Sequence, residues 1–342
     1  MDDATRVDAG APSDRPPRFA VIVPTTGRED LLHPLLNALE AQTLPRKRWD
    51  LIVAFDGVDP SPAMTRRLSD GGVRVVGRGE RGGPGAARNL GARGAAADVL
   101  AFTEDDCLPA PDWLAVASAR FDRDPSLDVL EGTTLLPSGR PARRRHGDRP
   151  TWLPTNLFVR REFFERLGGY CEEYFDARRG IYFREDSDFG FTAVEAGARV
   201  GVEPAARVTH PYEHRGWLDP IRWAARYEMD PLLEARHPAA FREEIEVVRW
   251  GPVRWRRPFV RSCAGFLLAA PAAVAAAVIG EAGVAAWLAL VAVALLVAVW
   301  SKWGFDPRKL PAVLVVPPLL LAALLRGRER RDRYLVASRT TR

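Results

Sequence analysis

Asp98-Val99-Leu100-Ala101-Phe102-Thr103-Glu104-Asp105-Asp106-Cys107 decides how the rest of this chain is read. A short run of strand formers ends in three consecutive carboxylates, more negative charge than a fold can bury without something positive among them. Two readings fit. In an acidic turn, Asp would cap a helix or bond nearby backbone amides. Alternatively, a divalent cation such as Mg2+ or Mn2+ would take the same oxygens as ligands and bring a phosphate-bearing substrate with it.

The flanking segments place this stretch in an α/β fold. Residues 19–24, FAVIVP, are a continuous apolar run, as in a strand buried on both faces of a largely parallel sheet. Thr25-Thr26-Gly27-Arg28 then turns the chain. Glu29 and Asp30 suit a helix start, and Leu31, Leu32, Leu35, Leu36 and Leu39 recur at helical spacing. Residues 49–55 repeat the strand and end in Asp56-Gly57. A strand over 73–76, a helix over 85–97, the acidic-ended strand and a helix over 111–121 continue the alternation. Such alternation predicts an open α/β sheet whose ligands bind at the carboxyl ends of the strands, where Asp56 and Glu104-Asp105-Asp106 both fall.

Residues 78–89, RGERGGPGAARN, form a glycine-rich loop. Gly82, Gly83 and Gly85 allow close backbone approach, and Arg88 falls in the first turns of the next helix, where free amides favour an anion. An ordinary loop explains the glycines equally well, since the pattern is neither a Walker loop nor a dinucleotide fingerprint.

Taken in order, IVPTTGR, LLNALEAQ, LIVAFDG, GPGAARNLG and LAFTEDDCLPAPDWL resemble the motif series of glycosyltransferase family 2. The resemblance resumes at TNLFVRREFFERLGGY and at Arg184-Glu185-Asp186, and so covers residues 19–215. It implies the GT-A nucleotide-diphospho-sugar transferase fold, a Rossmann-like, mostly parallel sheet. It further implies a nucleotide-diphospho-sugar donor and a divalent cation, Mn2+ or Mg2+.

Several residue roles follow from the resemblance alone. Asp56 matches the acid that contacts the nucleotide base, although Phe55 stands where the family has a preceding Asp. Thr25 lies in the loop lining the nucleotide pocket, and Arg88 matches a nucleotide-side arginine. Glu104-Asp105-Asp106 takes the place of the DxD motif. Glu104 replaces its first Asp for ribose or metal contact, and Asp106 is the expected metal ligand. His210, ahead of His214, would complete the metal shell. Asp186, with Glu185 beside it, matches the base for the acceptor hydroxyl, with Phe183 and Phe189 as an apolar setting. Read as residues only, the same acids stabilise a helix start by about 0.3–1 kcal/mol each. Asn156 and Trp223 fall on the acceptor side. Asp219-Pro220-Ile221-Arg222-Trp223 resembles the QxxRW motif of processive polysaccharide synthases, but Asp219 stands in place of Gln, which favours single-sugar transfer. A non-catalytic nucleotide-sugar-binding membrane scaffold is the alternative outside enzymes, and the intact Asp106 and Asp186 disfavour it.

With 342 residues and 47% apolar composition, the chain can bury a large core. The net charge of +5 is modest, but arginines cluster over 140–149, 254–261 and 326–333, patches that suit phosphates or anionic lipid heads. No nucleic-acid partner is expected. Cys107, Cys171 and Cys263 show no metal-ligand spacing and suit a reducing compartment. Residues 1–18 read as a disordered lead-in, and the basic loop over 140–149, with His146, as a solvated run or a mobile cover for a diphosphate.

Beyond 254 the composition turns apolar. Residues 262–279 and 282–300 are each long enough to cross a bilayer, and 310–325 is a shorter stretch containing Pro317-Pro318. Positive-inside logic puts the three basic clusters in the cytoplasm and so requires an even number of crossings. The expectation is a GT-A domain over 19–250 and a membrane anchor over 251–330. In that anchor 262–300 forms a hairpin, 310–325 is re-entrant or interfacial, and a basic tail follows over 331–342. The protein would thus be a multi-pass cell-membrane enzyme with its catalytic domain cytoplasmic, acting on a lipid-linked or cell-envelope glycan acceptor.

Overall fold

A computed structural model describes residues 18–142, 150–211, 216–250 and 253–340. Residues 1–17 of the expected lead-in, His146 with most of its basic loop, His214 and the last two residues of the basic tail lie outside the described residues. The elements run β1 (Phe19–Thr25), α1 (Glu29–Glu40), β2 (Trp49–Asp56), α2 (Pro62–Asp70), β3 (Arg74–Arg78), α3 (Gly83–Ala92), β4 (Val99–Phe102), β5 (Leu108–Pro109), α4 (Trp113–Arg123), β6 (Val129–Leu135) and β7 (Leu157–Arg160). They continue α5 (Arg161–Leu167), β8 (Phe175–Asp176), β9 (Ile181–Tyr182), α6 (Glu185–Glu195), β10 (Val200–Thr209), α7 (Asp219–Arg226), α8 (Asp230–Arg236), α9 (Pro238–Glu244), β11 (Val247–Trp250), β12 (Val253–Arg256), α10 (Pro258–Val278), α11 (Ala282–Ser301) and α12 (Leu310–Thr340).

The chain divides into two compact units, one of residues 1–80, 87–166 and 199–210, the other of residues 81–86, 167–198 and 211–342. The first unit holds an eight-stranded, mostly parallel sheet in the order β3-β2-β1-β4-β7-β6-β10-β5. All strands share one direction except β7 and β5. Strand β1 is flanked by β2 and β4, which explains its unbroken apolar sequence: every residue from Phe19 to Thr25 is buried. Its core joins Phe19, Val21, Leu35 and Leu39 to Trp113, Phe121 and Phe158. Gly91 lets α3 lie close on β1, since a Cβ there would come within 2.6 Å of the Ile22 side chain.

The common strand direction gathers the carboxyl ends of β1, β2, β4 and β10 at one edge of the sheet. Thr25, Asp56, the segment Thr103 to Asp106, and His210 stand at those ends.

In the second unit, α6 begins at Glu185, so Glu185, Asp186 and Asp188 stand in its first turn. Here their charges meet the free amides of the helix start. Tyr174, Phe191, Met229, Leu232 and Phe241 form one cluster, and Tyr227, Phe259, Cys263, Val299, Val313 and Leu320 another. Helices α10 and α11 pack closely at Gly265, where a Cβ would lie 2.9 Å from Leu295 Cδ1. Residues 310–325, expected to be re-entrant or interfacial, are part of one 31-residue helix, α12, that runs through Pro317-Pro318 and the arginine cluster to Thr340. Among the described residues, three helices are long and apolar enough to cross a membrane.

Candidate active site

At the strand edge of the first unit, the side chains of 104–106 point to different partners. Asp105 is 1% exposed. Its Oδ2 accepts from the Thr25 hydroxyl at 2.7 Å and from Arg28 Nε at 3.3 Å, and Arg28 Nη2 donates to its other oxygen. Burial outweighs these partners and raises the Asp105 carboxyl above its ordinary value. The Thr25 hydroxyl accepts in turn from the Gly27 amide at 3.1 Å. Arg28 also stands 3.4 Å from Asp106 Oδ2, so one guanidinium spans two carboxylates. Sequence reasoning missed this role; the only signal was a cation closing the turn after the central strand.

Glu104 faces the other way. Its Oε1 accepts from Nη2 of the fully buried Arg88 at 2.8 Å, and its Oε2 is 3.4 Å from His210 Nε2. His210 Nε2 is also 3.5 Å from Asp106 Oδ1. Burial alone would raise the Glu104 carboxyl, but His210 and Arg88 outweigh it and hold the carboxyl low. Burial would likewise lower His210, yet Glu104 and Asp106 hold it above its ordinary value. Ligand atoms of Glu104, Asp106, Cys107 and His210 all lie within 4.8 Å of one another. Two carboxylates and an imidazole make a donor set suited to Mn2+ or Mg2+; the Cys107 thiol, the softer fourth member, is fully buried.

Asp56, 3% exposed, pairs in register with Arg78, whose Nε is 3.9 Å from its Oδ1. Asn156 comes level with the end of β4, because Leu157 pairs with Phe102, but it is fully buried. Its amide bonds Trp113 Nε1 and the carbonyls of Thr133 and Ala206, at 2.8, 3.1 and 2.8 Å, tying β6, β10 and α4 beneath the edge.

The second unit holds Glu185, Asp186 and Trp223. Glu185 is 8% exposed and Asp186 is half-buried, with Asp186 Oδ1 capping the Ser187 amide at 2.7 Å. Phe189 stacks on Tyr170 with centroids 4.7 Å apart, whereas Phe183 turns toward Trp223, at 5.6 Å. Behind α6, Asp188 accepts from Tyr174, Arg236 and His237, at 2.9, 2.5 and 3.1 Å.

The glycosyl transferase family 2 model matches residues 20–182. Residues 20–182 thus form a region similar to glycosyl transferase family 2. Glycosyltransferase AglE of Haloferax volcanii is 24% identical over 206 residues, which are 55% of this chain and 67% of that protein. Among solved structures, the mannosyltransferase PcManGT of Pyrobaculum calidifontis, in complex with GDP-Man and Mn2+, superposes with a TM-score of 0.56 at 21% identity, over 92% of this chain and 88% of that one. S. aureus TarS 1–349 in complex with UDP gives 0.51 at 17% identity, over 94% and 92%. Against another TarS structure the chain spans 39% of that chain's length. The matched region presents its acidic cluster at the carboxyl end of a strand next to the central one.

Proposed function

We propose that this chain is a metal-dependent inverting glycosyltransferase that moves a sugar from a nucleotide-diphosphate donor to a hydroxyl of a lipid-linked or cell-envelope glycan. The observation that carries the reading is the meeting of Glu104, Asp106 and His210 at the strand edge that also holds Thr25 and Asp56. The similar solved structures in complex with GDP-Man and Mn2+, and with UDP, support the donor class and the cation.

Asp106, His210 and Glu104 would hold the cation, which when bound neutralises the diphosphate as it leaves. Arg88 holds Glu104 in place, and Arg28 holds Asp105. Thr25 and Asp56 receive the nucleotide. Asp186, helped by Glu185, takes the proton of the acceptor hydroxyl, whose oxygen attacks the anomeric carbon from the face opposite the diphosphate, inverting that centre. Trp223 serves the acceptor, while Asn156 supports the edge from beneath. Donor hydrolysis with and without Mn2+, compared among the wild type, Asp106→Ala and Asp186→Asn, tests this reading. Metal-dependent activity lost in the variants is expected; equal activity in all samples refutes it.

In the membrane, α10 and α11 are read as a two-span hairpin and α12 as a helix lying along the cytoplasmic interface. The catalytic domain over 19–250 and the basic end of the chain then share the cytoplasmic side. Contacts at both ends of the apolar half of α12 support this. Lys309 Nζ, just before it, is 3.1 Å from Asp219 at the start of α7, and Arg326 and Arg330 reach Glu228 between α7 and α8 at 3.4 and 3.5 Å. Ties at both ends of its apolar half to one short polar stretch favour a helix that lies along the interface over one that crosses the bilayer. A reporter fused after Arg342 should read cytoplasmic, and an extracytoplasmic signal overturns the topology.

A further inference from the structure

We infer that the second unit carries a phosphate site built by Arg184, Lys302 and Trp223, and that it takes the phosphate or diphosphate headgroup of the lipid-linked acceptor. The inference rests on the transferase reading above and adds to it where the acceptor is held.

The site has an aromatic floor. Phe183 lies 5.6 Å from Trp223 and 6.1 Å from Tyr227 between ring centroids, and Tyr227 lies 5.5 Å from Phe259. Two cations stand on that floor: Arg184 Cζ is 4.0 Å from the Phe183 centroid, and Lys302 Nζ is 4.8 Å from that of Trp223 and 4.6 Å from that of Phe259.

Donors here outnumber acceptors. Arg184 is 8% exposed, and among the described residues neither its buried Nη2 nor the buried Trp223 Nε1 has a hydrogen-bond partner. Lys302 forms no ion pair among the described residues. The nearby acids have partners, although the buried Glu246 Oε2 accepts no hydrogen bond among the described residues. Asp230 takes Arg184 Nε at 2.8 Å and the Arg257 guanidinium, and Glu246 takes the Tyr227 hydroxyl and faces Arg257 at 3.9 Å. Glu246 attracts Lys302 more than Arg184 repels it, and what an anion here would satisfy are the idle donors of Arg184 and Trp223. Arg184 and Arg257 also hold left-handed backbone, with φ of 76° and 50°, although neither is glycine. Such conformations persist where the surroundings enforce them, and here one buried carboxylate pins both side chains.

Position points to a lipid. Lys302 directly follows α11, and α10 starts at Pro258 next to Phe259, so this cluster sits where the two candidate spans meet polar residues, the level of bilayer headgroups. A phosphate offers enough oxygens for an ammonium, a guanidinium edge and an indole N–H together, and the aromatic floor suits the apolar chain next to it. Arg184 directly precedes Glu185 and Asp186, so a headgroup bound here brings the attached acceptor to the carboxylates of the same turn.

The test uses the full chain in detergent micelles without donor, titrated with farnesyl phosphate, farnesol, inorganic phosphate and phosphatidylglycerol. Farnesyl phosphate should bind, farnesol should not, and Lys302→Ala should weaken binding roughly tenfold. Lys302 lies at the surface, so this variant should fold, and Lys302→Arg should keep most of the affinity. Equal binding of inorganic phosphate would make this a plain anion site, equal binding of phosphatidylglycerol a general lipid contact, and an unaffected Lys302→Ala no site at all; each overturns the inference. Asp106→Ala should still bind farnesyl phosphate. Failure of the transferase reading therefore shows in donor hydrolysis, and failure of this inference shows in lipid-phosphate binding.

Discussion

His210 Nε2 lies 3.4 Å from Glu104 Oε2, joining the end of β10 to the end of β4 across a sheet in which β7 and β6 separate those strands. An imidazole and a carboxylate drawn together this way share their proton until a cation replaces it. Metal affinity should therefore rise with pH as His210 loses the proton that Glu104 and Asp106 help it keep. Calorimetric titration with Mn2+ across the neutral range checks this, and a flat affinity would argue against His210 as a ligand.

Asp106→Ala should lower metal-dependent transfer by about 100-fold or more, the scale of losing a principal electrostatic partner of the leaving group. Arg88→Lys should act more mildly, weakening Mn2+ roughly tenfold, because it disturbs the orientation of Glu104 without removing an oxygen ligand. Activity measured against Mn2+ concentration separates a changed metal requirement from a changed maximum.

Gly132→Ala should destabilise the first unit by about 1–3 kcal/mol, since the added Cβ collides with the Ala206 carbonyl and the Asn156 amide. Asn156→Ala should cost a similar amount by leaving Trp113 Nε1 and two carbonyls without partners. Thermal unfolding measures both.

His237, 4% exposed, stands between Asp188 and Glu195, whose oxygens lie 3.1 and 2.9 Å from its ring nitrogens. Burial would lower its pKa, but the two carboxylates outweigh that and raise it. A raised folded-state pKa contributes stability that is complete below about pH 6.5, the unfolded value, and is lost as pH rises through the folded one. The unfolding temperature should thus fall on that alkaline side, and His237→Gln should flatten the slope. An unchanged slope in the variant would refute the assignment.

Glu228, 3% exposed, receives Arg179, Arg326 and Arg330. Glu228→Gln leaves those cations without their shared acid and should destabilise the second unit by about 2 kcal/mol, less than for a fully buried pair because the arginines reach solvent. Loosening should concentrate at the far end of α12, where limited proteolysis by trypsin would cut sooner.

The sequence by itself determined the class of fold and the chemistry of its edges. Continuous apolar runs followed by Thr25, Asp56 and Glu104 to Asp106 were legible because strand burial and acidic strand ends are local patterns. The span candidates of α10 and α11 were legible for the same reason, since apolar length is counted along the chain. Tertiary structure decided which of these residues meet. Arg28 spanning Asp105 and Asp106, Asn156 tying three elements, α12 fastened by Lys309 and Arg326, and Arg184 left with an idle donor beside Trp223 all depend on strand order and helix docking. Those contacts form between residues far apart in the chain, so no local period encodes them, and even the acidic stretch from Glu104 acquired its division of partners only when the sheet brought Arg88, Arg28 and His210 to it.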